Sequence, residues 1–253
     1  MPVLASILLY IMIFLYGIII GSFLNVCIYR IPEKQSIVPN SHCMSCGHRL
    51  HWYDLFPLFS YLFLKGRCRY CGAKISIQYP LVEALNGVLY LIVFMANGFG
   101  WDSILYCLMA SALLVLSVID WRTYEIPVGC NIFIGVIGIL MCVFDRAHFL
   151  EHLIGAVCVS GVLFLIVLVS GGRAMGGGDV KLMAVAGLVL GWKKIILAFL
   201  IGCILGSAIH IVRMKVTKAD HVLAMGPYLS AGIFVAALWG GYFMDWYFSM
   251  LGF

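Results

Sequence analysis

Eleven acidic residues occur among 253, and two of them stand where carboxylates are rare. Asp120 closes the apolar run SILYCLMASALLVLSVID, and Asp179 opens another within Gly176-Gly177-Gly178-Asp179-Val180-Lys181-Leu182. An ionisable group at membrane depth is costly, so it marks function by default. Two carboxylates held close cannot both ionise easily; one keeps a proton while the other serves as base. Such a pair can polarise a water for attack on a peptide carbonyl and then protonate the leaving amine, without a metal or covalent intermediate. The glycines before Asp179 remove side chains and widen the backbone choices. With Lys181 they are read as an access loop along which a peptide reaches the carboxylate.

A second constellation lies upstream. Cys43 and Cys46 form one Cys-x-x-Cys pair and Cys68 and Cys71 another, with 21 residues between the pairs. That spacing suits a four-thiolate zinc site, closed and therefore structural. Gly47 and Gly72 follow the second cysteine of each pair and allow a tight knuckle. A segment of about 50 residues has too small a core to stand without such a staple. His42, His48 and His51 lie nearby, but four cysteines already complete the site.

These groups must be positioned by elements built for lipid. The chain is 64% hydrophobic and 11% charged, with mean hydropathy +1.07, whereas soluble domains carry about 25% charge. A bilayer-crossing helix needs about 20 apolar residues, and eight stretches are read as spans, the sixth of them short: 4–24, 81–97, 102–120, 127–144, 151–170, 180–192, 194–213 and 225–250. The fold class expected is a polytopic α-helical membrane protein of about eight spans, with a small zinc-binding domain between the first two. The first stretch is long and lacks a charged n-region, so it reads as a retained anchor rather than a signal peptide.

Alternation of the stretches puts 25–80, 121–126, 171–179 and 214–224 on one face. That face takes Arg30, Lys34, Arg49, Lys65, Arg67, Arg69, Lys74, Arg122, Arg173, Lys181, Arg213, Lys215 and Lys218; the other keeps Arg146, Lys193 and Lys194. Thirteen against three makes the first face cytoplasmic and sets both termini outside. Disulfides between the paired cysteines are disfavoured by that placement. The net charge of +5 is accordingly a topology signal; with no long basic stripe, no nucleic-acid partner is expected.

Among the acids, Asp102, Asp145, Glu151 and Asp245 fall to the outer side. Glu33, Asp54, Glu125 and Asp220 fall to cytoplasmic segments. Asp120, Asp179 and Glu83 remain at cytoplasmic membrane boundaries, and Glu83 reads as a helix-start carboxylate favoured by the macrodipole. Cys27, Cys107, Cys130, Cys142, Cys158 and Cys203 are scattered and read as small buried hydrophobes. His148, His152, His210 and His221 form no catalytic pattern. Gly187/Gly191 and Gly202/Gly206 have the spacing of close helix packing.

Over nearly its whole length the chain resembles the type IV prepilin peptidases, polytopic aspartic proteases of the GxGD type. The resemblance is carried by Gly21-Ser-Phe-Leu-Asn-Val-Cys-Ile-Tyr-Arg-Ile-Pro32, the two cysteine knuckles, Trp52-Tyr53-Asp54 with Pro57, and Ser60-Tyr61-Leu62. It continues through Gly66-Arg67-Cys68, Tyr79-Pro80-Leu81-Val82-Glu83, Asp120 with Ile126-Pro127, the Gly176–Leu182 run and Met225-Gly226-Pro227-Tyr228. Departures are mild: Met225 and Tyr228 stand where phenylalanines are usual, Val128-Gly129-Cys130 where an Asp or Asn is common, and Cys27 for valine.

The resemblance implies cleavage of a basic leader from type IV prepilins or type II secretion pseudopilins at the cytoplasmic boundary of the bacterial inner membrane. It assigns Asp120 and Asp179 as the proteolytic pair and Cys43, Cys46, Cys68 and Cys71 as zinc ligands. It further implies N-methylation of the new N-terminal residue with S-adenosylmethionine, for which no binding residues are apparent. Residues 1–24 would be the first span, 25–80 the zinc domain and 81–253 the embedded protease. Cleavage without methylation is one alternative, and an ion-coupled transporter, which would show internal repeats, is another. Oligomeric state is not readable.

Overall fold

A computed structural model of the protein describes residues 3–38, 41–51, 53–173, 175–217 and 223–250, with the backbone alone at 217 and 248. Trp52, Lys218, Asp220 and His221 lie outside the described residues. The elements are α1 (Val3–Arg30), α2 (Phe59–Phe63), α3 (Gln78–Asn97), α4 (Trp101–Thr123), α5 (Val128–Phe144), α6 (Phe149–Ser170), α7 (Gly177–Thr217) and α8 (Gly226–Met250). Among the described residues the only extended pairing is two isolated bridges. Among the described residues, six helices are long and apolar enough to cross a membrane. α5 is shorter at 17 residues, and α7 joins two helices across a break at Gly191 (φ 77°, ψ 169°). Counting α5 and both limbs of α7, all eight expected apolar stretches are helical.

The break shows why Gly191 is glycine: its φ lies where a side chain is strained. Close packing, expected of both Gly187 and Gly191, reaches both, since a Cβ on Gly155 of α6 would stand 2.6 Å from the Gly191 backbone, and its tightest point is Gly187. A Cβ there would overlap the carbonyl of Gly155 in α6. Gly202 in the second limb of α7 meets Leu229 and Tyr228 of α8 in the same way, its Cβ position 3.1 Å from the Leu229 backbone. Apolar area gains nothing by leaving lipid, so these helices associate through small residues and close backbones.

Contacts divide the chain into two compact units, Met1–Gly98 and Phe99–Phe253. That division falls one helix later than the boundary expected at residue 81, because α3 packs along α1. Cβ atoms built on Gly17 and Gly21 would lie 2.7 Å from the backbones of Gly87 and Glu83. The crossing is pinned by Asn86, whose Nδ2 donates to the Gly17 carbonyl (2.7 Å), and by Asn25, whose Nδ2 donates to that of Tyr79 (3.1 Å). In the second unit α4 is the most buried span. α5 and α8 pack on it and α7 packs on α5, α6 and α8.

Candidate functional site

Asp120 sits in the last full turn of α4 and Asp179 in the first turn of α7, 4% and 9% exposed. α4 stops at Tyr124, whose left-handed backbone (φ 56°) lets its N–H donate to the Asp120 carbonyl at 2.8 Å. Pro127, the extended N-cap residue (φ −62°, ψ 130°), then leads into α5. Between them Ile126 lies on Gly178, where a Cβ would stand 3.0 Å from the Ile126 Cβ. The turn that follows one aspartate is thus laid against the residue that precedes the other. The two carboxylates are within electrostatic reach of each other, and both lie at the same end of this unit.

A third element completes the arrangement. The Gly226 N–H, at the start of α8, donates to Asp120 Oδ2 at 2.8 Å in a buried position. A Cβ on Gly226 would lie 2.7 Å from that oxygen. Met225-Gly-Pro-Tyr228 entered the sequence reading only as a motif; its work at Asp120 was missed. The one signal available was a Gly-Pro pair opening a span at the level of the aspartates.

The glycine run needs correction. None of Gly176, Gly177 and Gly178 has a positive φ, so unusual backbone angles are not what they supply. Gly178 admits Ile126, Gly177 is open, and a Cβ on Gly176 would stand 3.4 Å from Asp179 Oδ2. Lys181 is exposed, about 200° around the helix from Asp179. It is not gathered with the carboxylates. Glu83 does more than the expected helix-start carboxylate. It is buried in α3 and its Oε2 accepts the Leu58 N–H at 2.8 Å, where Leu58 has φ 59°. Glu83 therefore tethers the start of α2 within the first unit.

The four cysteines do converge. Their sulfurs all lie within 4.8 Å of one another, and Cys43 and Cys71 are 3.9 Å apart. A tetrahedral zinc with Zn–S near ~2.3 Å requires sulfurs about 3.8 Å apart, so the set can hold a metal ion. The two knuckles share one construction. Cys43 N–H donates to His48 O and Gly47 N–H to Cys43 O; Cys68 N–H donates to Ala73 O and Gly72 N–H to Cys68 O. Gly47 and Gly72 have φ 68° and 71°. The bridges His42–Arg49 and Arg67–Lys74 flank them, every position displaced by the 25 residues that separate Cys43 from Cys68. Backbone N–H groups of Cys46 and Ser45 bring the Cys43 thiol down to about 6. At Cys71 the Ala73 N–H lowers the thiol, but burial and the neighbouring sulfurs outweigh it and leave it at about 11.

Of the nearby histidines, His48 packs against the Tyr70 ring (3.7 Å) and His51 stacks on Tyr53 (5.3 Å). Asp54, unremarked in the sequence beyond its motif, organises this layer. Its carboxylate accepts from Arg69 Nε (2.7 Å), Tyr70 Oη (3.0 Å) and the His51 N–H (3.3 Å). Burial pushes the Asp54 carboxyl up, but these donors prevail and hold it below the usual range. Of the six scattered cysteines, Cys27, Cys107, Cys130 and Cys142 are buried, whereas Cys158 and Cys203 are half-buried. The described groove on α6, lined by Val162, Leu165, Ile166, Val169 and Ser170, is apolar. It does not fit the charged ends of S-adenosylmethionine.

Comparison with known proteins converges on one family. Residues 15–97 match the bacterial peptidase A24 N-terminal domain, and residues 107–211 match the type IV leader peptidase family. A prepilin leader peptidase/N-methyltransferase of Stutzerimonas stutzeri is 31% identical over 88% of this chain and 88% of its own. One of Aeromonas salmonicida is 31% identical over 95% of this chain and 94% of its own. A Pseudomonas aeruginosa protein of the same name is also 31% identical, over 94% and 93%. No solved structure matches the chain. With identity at this level spread over nearly the full length of both partners, the chain belongs to the type IV leader peptidase family.

Proposed function

We propose that the protein removes the basic leader from type IV prepilins or type II secretion pseudopilins, using Asp120 and Asp179. The observation that carries this is the convergence of two buried carboxylates from α4 and α7, tied by the Ile126–Gly178 contact. The relatives' shared name supplies the substrate class. One aspartate, ionised, takes a proton from a water whose oxygen attacks the scissile carbonyl carbon. The other, protonated, gives its proton to the carbonyl oxygen. Collapse of the tetrahedral intermediate breaks the C–N bond as the amine nitrogen is protonated, and the pair returns to sharing one proton.

The cysteine site, filled by zinc, is assigned to residues 25–80 and the protease to residues 81–253. Zinc there would be structural, since four thiolates leave no open position. Residues 25–80 and the aspartates are placed on the cytoplasmic side of the inner membrane and both termini outside, on the strength of the lysine and arginine bias. The lipid bilayer then delivers the substrate's apolar helix while the leader stays in the cytoplasm. N-methylation of the new N-terminus with S-adenosylmethionine is carried over from the relatives' name; no step of it is assigned to particular side chains.

Asp120→Asn and Asp179→Asn, each alone, should abolish leader removal from a prepilin in detergent while the protein still inserts and folds. Normal cleavage by either variant would sink the assignment. A methyl mass gain on the cleaved product with S-adenosylmethionine tests the second activity.

A further inference from the structure

Asn131 is the one residue of the second unit's core whose side-chain oxygen and nitrogen are both buried with no hydrogen-bond partner among the described residues. It is 4% exposed. Its backbone is conventional, the N–H donating to the Pro127 carbonyl at 3.4 Å. A buried, unpaired carboxamide is unfavourable, and such groups call for an explanation in function or in a missing partner. In lipid the cost has no relief from solvent.

Its place in the fold points to the explanation. α5 and the first limb of α7 run parallel, with Gly135 against Val185 and Gly138 against Leu188, while Ile126 lies against Gly178. Asn131 belongs to the same buried stripe of α5 as Ile134, Ile137, Gly138 and Met141. It therefore stands between the Ile126–Gly178 contact and the Gly135–Val185 contact, level with Lys181 and Leu182. That is within one helical turn, about 5 Å of rise, of Asp179.

A primary carboxamide offers N–H donors and a carbonyl acceptor on one planar group, the complement of a peptide unit's C=O and N–H. A chain threaded to this depth must have its backbone groups satisfied by protein. We propose that Asn131 is a backbone clamp for the substrate: its side-chain amide pairs with a peptide unit beside the scissile bond and holds the scissile carbonyl at the aspartate pair. The proposal rests on the peptidase reading and deepens it, adding a substrate-binding residue from α5 to the two helices that carry the carboxylates.

The test uses full-length protein and a purified prepilin, with Asp120→Asn as the dead control. Absence of cleavage by the unaltered protein would count against the peptidase reading itself. Given cleavage, Asn131→Leu is expected to lower kcat/KM by about a hundredfold to a thousandfold, the range seen for single preorganised donors. Its Tm should stay equal or rise, because an orphaned polar group is replaced by an apolar one of similar size. A merely structural asparagine predicts the opposite, a lower Tm with kcat/KM intact. Prepilins with one backbone amide exchanged for an ester, at units flanking the scissile bond, supply the second reading. One such ester should slow the unaltered protein and cost nothing further in Asn131→Leu. Unchanged kcat/KM in the variant, or an equal ester penalty in both proteins, overturns the clamp. If Asn131→Leu does not fold, the ester series on the unaltered protein decides, and uniform rates across it overturn the clamp equally.

Discussion

Gly226→Ala is the sharpest perturbation of the aspartate pair that leaves both carboxylates in the chain. The added methyl would lie 2.7 Å from Asp120 Oδ2 and 3.0 Å from its Cβ and Cγ. Those atoms sit on a short, buried side chain near the end of α4, so the carboxylate must rotate or the start of α8 must move. Either response breaks the 2.8 Å bond from the Gly226 N–H. A hydrogen bond to a charged group contributes about 1.5–3 kcal/mol. At about 1.4 kcal/mol per decade of rate, kcat/KM should fall by about 10- to 150-fold. The assay is leader removal from a purified prepilin in detergent, with the concentration of folded enzyme fixed by its thermal transition. Gly241→Ala, in the same helix with open space around it, is the control and should retain full activity. If Gly226→Ala cleaves at the unaltered rate, the Gly226 N–H does not position Asp120, and the three-element description of the site is wrong.

Metal analysis of the purified protein should give about one zinc per chain for a four-thiolate site, and Cys43→Ser should remove it. Zinc binding to the stripped protein near pH 7.5 should release fewer than four protons, because the Cys43 thiol, at about 6, is already ionised there; release of four would refute that value. Gly187→Val drives a side chain into the Gly155 carbonyl and should prevent stable folding, read as loss of the thermal transition. Overpacking commonly costs about 1–3 kcal/mol where atoms can yield, and here the obstacle is backbone. Asp54→Asn should destabilise the cysteine-bearing segment at neutral pH. The folded carboxyl is held below its unfolded value of about 3.9, so its stabilisation is complete above that pH and is lost as pH falls through the folded value. The two proteins should therefore converge in stability only in strong acid, and convergence near pH 6 would contradict the network.

What could be read from the residues alone follows the strength of each constraint. Hydrocarbon demands long apolar helices, so all eight stretches were legible, and the split near residue 193 fell within two residues of the break at Gly191. Four thiolates at knuckle spacing have few other uses, and Asp120 and Asp179 stood out because lipid makes carboxylates rare. Gly226 and Glu83 were not legible in their roles. One acts through a backbone N–H and the other on a backbone N–H, and neither leaves a trace in side-chain pattern. The glycine run was misread for a related reason. Sequence shows that a side chain is absent, whereas the structure shows what fills the space, and at Gly178 it is Ile126 rather than an unusual φ. Asn131 was passed over because one amide in an apolar run looks like noise until its neighbours are known.

The lengths of the helices that carry the site bear on how it works. The first limb of α7, Gly177 to Leu190, is fourteen residues long and rises about 21 Å. α5, at 17 residues, rises about 26 Å. Hydrocarbon is about 30 Å thick, so neither helix spans it unaided, and they are the two that bear Asp179 and Asn131. α6 and α8, at 22 and 25 residues, are long enough. The deficit is fixed at the far end, where Gly191 breaks α7 and His152 Nδ1 bonds the Leu188 carbonyl at 2.9 Å. With that end held, the other ends of α5 and α7 stop short of the opposite boundary. Asp179 and Asn131 then lie inside the level reached by α6, a depth at which, on the proposed reading, a helical substrate still has its backbone satisfied by itself. Cleavage there requires local unwinding, and every N–H and C=O released must find a partner in protein. A short helix that opens on Asp179 and another that carries an unpaired carboxamide meet that requirement together; full-length helices with the same residues would leave them in the headgroups, where water competes for every bond.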